Sequence, residues 1–143
     1  MIRVVVDTNV IVSALLQPLG APAAVFLLIA AGAVRLCVSG NIYAEYEEVI
    51  RRPRLARDDD SITATLQTIR EKGLWVKPTE TIKACFDSDD DIFLECAQAA
   101  HADYLVTGNL KHSPQSWGSI LIVTPRRLWT YCQVPPRLDN VRS

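Results

Sequence analysis

The sequence lacks several motifs that would identify a common class of enzyme or metal protein. It has no glycine-rich phosphate loop, which argues against a nucleoside triphosphatase or a dinucleotide enzyme. It has no G-x-S-x-G motif, and no serine or cysteine can be paired with either histidine, His101 or His112, as a catalytic nucleophile. The four cysteines form no C-x-x-C pair, and no histidine stands at zinc-finger spacing. The chemistry of this protein must therefore be sought in other side chains.

The sequence also has little excess charge and no long hydrophobic run. Its net charge of −1 argues against a protein that coats nucleic acid, but is compatible with a nuclease that grips phosphates through a metal. The longest apolar run, residues 21–34, is interrupted by Pro22 and Gly32 and is too short to span a bilayer. No basic segment precedes an apolar stretch at the N-terminus. Because Cys37 and Cys96 lie in apolar runs typical of buried thiols, we expect a cytoplasmic protein without a membrane span.

The pattern that is present is typical of an α/β protein of one domain. The chain has 143 residues, of which 49% are hydrophobic and 22% charged. Apolar runs at 2–6, 34–38, 104–107 and 119–123 predict strands of a mostly parallel central sheet, with a shorter strand at 74–76. Helical patterns separate these runs. We predict a single domain over residues 1–132 and a loose tail over 133–143, where prolines are frequent and apolar residues few.

Small polar residues follow two of the predicted strands. Asp7-Thr8-Asn9 comes after the first strand, and Thr107-Gly108-Asn109 comes after a later one. Ligands of open α/β sheets bind beyond the carboxyl ends of the strands, so Asp7 is a candidate functional residue. The alternative is that Asp7 only caps the next helix.

Further acids lie where a simple surface role does not explain them. Glu45 falls on or beside the apolar stripe of a predicted helix, where a carboxylate is costly unless it is paired. Residues 87–91 contain four carboxylates, and two of these about 4 Å apart would repel by roughly 4 kcal/mol at an effective dielectric of 20. A bound cation would offset that repulsion. Asp90 is the better placed candidate, with Asp91 as its neighbouring alternative.

These residues could form one cluster of oxygen ligands. If the first strand and the strand at 104–107 are neighbours, Asp7, Glu45, Asp90 and Asn109 can meet at one edge of the sheet. Oxygen ligands without histidine or cysteine suit Mg²⁺ or Mn²⁺. Such a cluster supports hydrolysis of a phosphodiester.

Four segments, in this order, carry a resemblance to a known family. They are Val4-Val5-Val6-Asp7-Thr8-Asn9-Val10, the helix with Glu45 in Tyr-x-x-Tyr-Glu-Glu-Val, Asp87-Ser88-Asp89-Asp90-Asp91, and Ala102-Asp103-Tyr104-Leu105-Val106-Thr107-Gly108-Asn109. Over roughly residues 2–130 the sequence resembles a PIN domain. It is most similar to the VapC-like toxin components of toxin–antitoxin pairs.

The resemblance implies a three-layer α/β/α fold and a Mg²⁺- or Mn²⁺-dependent endoribonuclease, the toxin of a type II toxin–antitoxin system. The family's first three acids fall on Asp7, Glu45 and Asp90, with Asp91 as the alternative third ligand. Its fourth position, often aspartate, is Asn109 here, which weakens a second metal site. The resemblance also implies an RNA substrate, a cognate antitoxin and a homodimer.

The resemblance further places Thr8 and Thr107 at hydroxyl positions that hold the acids or the water shell of the metal. Two other functions stay open at this point. The chain could be a catalytically silent PIN-like module that binds a protein, which Asn109 favours, or a phosphoryl-transfer enzyme with Asp7 as nucleophile and Lys111 nearby. The arginines of residues 51–54 could contact phosphate or a partner, or complement the dipole of their own helix.

Overall fold

The fold was determined as a computed structural model, which describes residues 1–53, 58–81, 91–108 and 116–133. The described strands are β1 Arg3–Val6, β2 Arg35–Val38, β3 Leu74–Trp75, β4 Tyr104–Val106, β5 Ser116–Trp117 and β6 Ile120–Val123. The described helices are α1 Thr8–Leu16, α2 Ala21–Ala30, α3 Gly40–Ile50, α4 Asp59–Lys72, α5 Asp91–Ala100 and α6 Pro125–Gln133. The predicted tail lies outside these residues except for Gln133, the last residue of α6.

The strands form one sheet in the order β3-β2-β1-β4-β6-β5. All neighbouring strands are parallel except β5, which is antiparallel to β6. The predicted neighbourhood of the first strand and the strand at 104–107 is confirmed, because Val6 of β1 pairs with Val106 of β4. The carboxyl ends of β1, β4 and β6 therefore lie side by side at one edge of the sheet.

Helices cover both faces of the central strands. Successive strand residues point to opposite faces, yet Val4, Val5 and Val6 are all at most 1% exposed. Helix α5 packs against β1, β2 and β4, while α2 contacts both α1 and α6. This is the three-layer α/β/α arrangement with a mostly parallel sheet that the sequence predicted.

Local signals explain where two of the helices begin. The Ser39 hydroxyl accepts a hydrogen bond from the Ile42 N–H at 3.2 Å and caps α3. The Asp58 carboxylate accepts one from the Ser61 N–H at 2.7 Å and caps α4. Both caps satisfy a backbone donor that the helix itself leaves unpaired.

Two expectations about the elements need correction. The sequence of residues 21–31 predicts a helix that is apolar nearly all round and therefore buried, but Leu27 is 66% exposed. Helix α2 contacts α1, α4 and α6, and these neighbours leave Leu27 uncovered. The short edge strand β5 was not predicted, because two residues in a polar segment carry no periodic signal.

No single helix in the described part of the chain is long and apolar enough to cross a bilayer. Helices α1 and α2 reach that length only when they are counted together, across a bend of 101°.

Candidate active site at the carboxyl edge of the sheet

Asp7 is the first residue beyond β1 and is held from several directions. Its backbone N–H donates to the Val106 carbonyl at 2.9 Å, which extends the pairing of β1 with β4. Its Oδ1 accepts a hydrogen bond from the Asn9 N–H at 3.3 Å, so Asp7 does cap α1. Its Oδ2 accepts one from the Thr107 hydroxyl at 2.8 Å. Asp7 therefore does cap α1, but it does not only cap it, because the cap uses one of the two carboxylate oxygens and Thr107 bonds the other.

Thr107 occupies the matching position at the end of β4. Its side chain is 4% exposed, and its backbone N–H donates to the Val123 carbonyl at 2.9 Å. Because its backbone is bonded to β6 and its hydroxyl to Asp7, the carboxylate of Asp7 is oriented by the sheet itself. The hydroxyl holds the acid as the resemblance implied.

Glu45 reaches the same edge from α3. The Thr8 hydroxyl, on a side chain that is 4% exposed, donates to the Glu45 carboxylate. Glu45 itself is half-buried, which agrees with its predicted place beside the apolar stripe of the helix. Since Thr8 is the next residue after Asp7, this bond brings the second acid to the start of α1.

Tyr46 fixes α3 to the end of β1. Its side chain is fully buried, and its hydroxyl donates to the carbonyl of Val6, the residue before Asp7. Burial raises the pKa of Tyr46 well above its ordinary value, and the charges of Asp7 and Glu45 raise that pKa further. Both acids therefore lie close enough to Tyr46 to act on it electrostatically. The sequence places Tyr46 only on the apolar stripe of the helix that carries Glu45. The periodicity of that stripe does not indicate which group a buried hydroxyl will bond.

Helix α5 begins at this edge as well. Its last residue, Ala100, accepts a hydrogen bond at 2.8 Å from Arg3, which is at the start of β1, so α5 runs antiparallel to β1. Its first residue, Asp91, therefore lies toward the end of the sheet where β1 stops. The side chain of Asp91 is 5% exposed and lies in the first turn of the helix.

Several predicted site residues lie outside the described parts of the chain. These are Asp90, Asn109, Lys111 and His112. Among the residues that the structure describes, no three acidic, histidine or cysteine side chains come together closely enough to hold a metal ion. The structure thus brings Asp7 and Glu45 to one edge of the sheet, and α5 begins with Asp91 at that same edge.

The side chains that are present fit a hard divalent cation. Asp7 and Glu45 contribute carboxylate oxygens, and their bonded neighbours Thr8 and Thr107 contribute hydroxyls. Oxygen donors of this kind suit Mg²⁺ or Mn²⁺ better than zinc. Hydrogen bonds of this kind, from a hydroxyl to a carboxylate ligand, hold the ligands of a metal site in a fixed orientation.

Other candidates from the sequence lie away from this site. His101 follows the last turn of α5 with a φ of 54°, at the opposite end of that helix from Asp91, as expected for a helix-end residue. Arg51 and Arg52 pair with Glu47 and Glu48 one turn earlier, at 3.7 Å and 2.8 Å. These arginines therefore have local partners on their own helix.

Comparison with known proteins adds three findings. A family model described as PIN domain matches residues 3–111 of the chain. The chain is 29% identical over 111 residues to the uncharacterized protein MJ1680 of Methanocaldococcus jannaschii, which covers 76% of this chain and 71% of that protein. The fold is similar to a chain in the crystal structure of VapBC2 from Rickettsia felis bound to a DNA fragment from their promoter. That similarity has a TM-score of 0.53 at 16% identity, and covers 77% of this chain and 90% of the other.

Proposed function

Since the chain belongs to the PIN domain family, whose members are generally nucleases, we propose that it is a metal-dependent endoribonuclease. We propose further that it is the toxin of a type II toxin–antitoxin pair and acts in the cytoplasm. The observation that carries the proposal is the pair of carboxylates, Asp7 and Glu45, each bonded to a buried threonine hydroxyl at the carboxyl edge of the sheet. Ligands of α/β sheets bind at this edge.

In this proposal Asp7 and Glu45 hold Mg²⁺ or Mn²⁺. Asp90 or Asp91 is the third acid, and Asn109 offers an amide oxygen without charge. The cation, when bound, would acidify a coordinated water and neutralise negative charge on the phosphate that is attacked. Thr8 and Thr107 keep the two carboxylates oriented, so that little reorganisation is needed when substrate binds.

An apolar surface supports the proposal of a protein partner. Leu19 is fully exposed, Leu16 is 38% exposed and Leu27 is 66% exposed. Leu27 lines a groove of about 220 Å³ together with Leu15, Pro18, Phe26 and Thr65, and Leu16 and Leu19 directly follow two of these lining residues in the chain. Contiguous exposed apolar side chains mark interaction sites more often than scattered ones do. We assign this groove to a segment of the cognate antitoxin, because the similar chain from Rickettsia felis belongs to a VapBC2 assembly.

The homodimer implied by the resemblance stays a separate proposal. Light scattering on the purified chain, with and without a co-expressed antitoxin, measures the oligomeric state. A single-chain mass at micromolar concentration would contradict the dimer and leave the proposed nuclease activity untouched.

The nuclease proposal is tested by cleavage of a mixed RNA pool with Mn²⁺, Mg²⁺ or a chelator. Asp7→Asn removes a charge but keeps an oxygen that can cap α1, and Glu45→Gln removes a charge but keeps an oxygen that can accept from the Thr8 hydroxyl. We expect both variants to lower the rate of cleavage by more than about a hundredfold. Replacing residues that only hydrogen-bond to metal ligands already costs 10- to 100-fold in metal affinity or activity. Both variants should stay folded.

The matched control is Glu47→Gln, two residues from Glu45 on the same helix and paired with Arg51 at 3.7 Å. It should cleave as the wild type does. Normal cleavage by Asp7→Asn would refute the assigned site. If the wild type does not cut in any metal and Mn²⁺ leaves its melting temperature unchanged, the chain is instead the catalytically silent protein-binding module.

A further inference from the structure

A pocket of about 230 Å³ opens beside Asp7, on the side away from Glu45. It lies between the starts of α1, α2 and α6 and the turn that follows β4. Its lining includes Asn9, Val10, Ser13, Pro22, Thr124 and Arg126. The function proposed above uses none of these side chains.

The sheet order explains why this pocket adjoins the acids. Strands β1, β4 and β6 are consecutive neighbours, and the pocket lies beyond the carboxyl ends of all three. Asn9 is two residues after Asp7, and Gly108, which also lines the pocket, follows the threonine bonded to Asp7. Glu45 comes from α3, which follows β2 on the other side of β1. Asp7 therefore stands between the pocket and the second acid.

The walls of the pocket are mainly apolar, with a small polar part. Val10, Ala21, Pro22 and Pro125 contribute to the apolar surface, while Asn9, Ser13 and Thr124 carry an amide or hydroxyl that can donate and accept hydrogen bonds. A nucleobase has this same character, with apolar faces and a polar edge. Single-stranded RNA is recognised by bases that are splayed out, stacked on aromatic side chains or arginine guanidinium planes, and hydrogen-bonded at their edges. Arg126 lines this pocket and offers such a plane.

The size of the pocket and the charge beside it restrict the class of ligand that it can bind. A volume of about 230 Å³ is below the 300–1,000 Å³ typical of pockets for drug-sized ligands, so it suits one ring system and not a whole nucleotide. Arg126 is exposed in the first turn of α6, where its charge can meet the phosphate backbone that enters and leaves the site.

We propose that this pocket receives the base of a nucleotide next to the scissile phosphate of RNA. The proposal rests on the nuclease function above and adds to it the group that selects the cleavage position. Asp7 and Glu45 would hold the reacting phosphate, and the pocket would bind one flanking base.

The test uses an oligoribonucleotide with one cleavage site and two abasic versions of it, each lacking the base on one side of the cut bond. We expect the wild type to cleave one abasic version with a kcat/KM about tenfold lower than that of the intact substrate, since burying one ring-sized apolar group is worth about tenfold or more in affinity. Ser13→Leu fills the pocket from α1, so the ratio of kcat/KM for the intact substrate to kcat/KM for the abasic version should fall to about one. Gly108→Ala is the second variant and should also lower this ratio. The fold can accept it, because the added methyl meets no atom within 4 Å.

Thr63→Leu, on an exposed position of α4, is the matched control and should keep the wild-type ratio. Equal cleavage of all three substrates by the wild type would overturn the proposal. A preference that survives in both Ser13→Leu and Gly108→Ala would also overturn it, because the base would then be recognised elsewhere.

Binding of the same oligonucleotides to the Asp7→Asn protein, followed by fluorescence anisotropy, separates this inference from the nuclease proposal. Weaker binding of one abasic version, lost again when Ser13→Leu is added, supports the pocket even if the wild type does not cut. If the wild type cleaves RNA but neither assay distinguishes the intact from the abasic oligonucleotides, the nuclease proposal stands and the base-binding pocket is refuted.

Discussion

Replacing Tyr46 with phenylalanine removes a buried hydroxyl that holds the two acid-bearing elements of the site together. That hydroxyl donates to the Val6 carbonyl and joins the helix of Glu45 to the strand that ends at Asp7. The ring still fits its fully buried position, so the substitution tests the hydrogen bond with little change in packing. We expect Tyr46→Phe to destabilise the fold and to weaken binding of Mn²⁺.

The magnitude follows from what the substitution leaves behind. Val6 is 1% exposed, so water cannot easily replace the lost donor. Leaving a buried acceptor without a partner costs about 1–3 kcal/mol, and a carbonyl with a second lone pair falls toward the lower half of that range. For a domain of this size each 1 kcal/mol lowers the melting temperature by about 2–4 °C. A decrease of about 2–8 °C is therefore expected.

The same helix offers a matched control. Within the described residues, the Tyr43 hydroxyl is buried and has no hydrogen-bond partner. Tyr43→Phe makes the same chemical change without removing a bond, and it should leave the free energy of unfolding within about 0.5 kcal/mol or raise it. Urea denaturation of both variants, with and without Mn²⁺, makes the comparison. Equal losses in the two variants would refute the assigned role of the Tyr46 hydroxyl.

Two further predictions concern the acid site and the core. Thr107→Val removes the hydroxyl that donates to Asp7, so the Mn²⁺ concentration that gives half of the thermal stabilisation should rise 10- to 100-fold, whereas Thr107→Ser should stay near wild type. Burial, and to a lesser extent Cys37, raises the pKa of Cys96 from 9.0 to about 12, so the folded chain keeps this thiol neutral where the unfolded chain ionises it. The stability contributed by Cys96 is therefore complete below pH 9, and the free energy of unfolding should fall by about 1.4 kcal/mol per pH unit above it.

Each of these predictions has a clear contrary result. An unchanged Mn²⁺ midpoint in Thr107→Val would show that the hydroxyl does not orient the metal ligand. For Cys96, the comparison is urea denaturation of wild type and Cys96→Ala between pH 8 and pH 10.5. The alanine variant should be less stable at pH 8 but lose stability more slowly as the pH rises, and parallel curves would contradict the assignment.

Short-range patterns were sufficient to predict most of the elements and the acids. Three consecutive valines at 4–6 predicted a strand buried on both faces, because only a sheet covered by helices accepts apolar side chains on both sides. Ser39 and Asp58 are residue types that favour the position before a helix, and each cap acts within three residues of its own position. Glu45 stood out because a carboxylate beside an apolar stripe needs a partner. Each of these signals depends on residues close together in the chain.

The assembly of the site was decided only by the tertiary structure. Thr107 is 100 residues from Asp7, and their hydrogen bond exists because β4 lies beside β1. The sequence suggested that neighbourhood as a condition, but strand order is set by the packing of the whole sheet. No local pattern could show that the Tyr46 hydroxyl meets the Val6 carbonyl.

The pocket beside Asp7 shows the same division. Its lining residues carry no motif in common, and they come from the starts of three helices and the turn after β4. The amino-acid sequence by itself determined which segments become strands and helices and which acids need partners, because those properties follow from local periodicity and the cost of burying charge. Only the tertiary structure decided which hydroxyl holds which carboxylate and where a cavity remains, because both depend on contacts between segments distant in the chain.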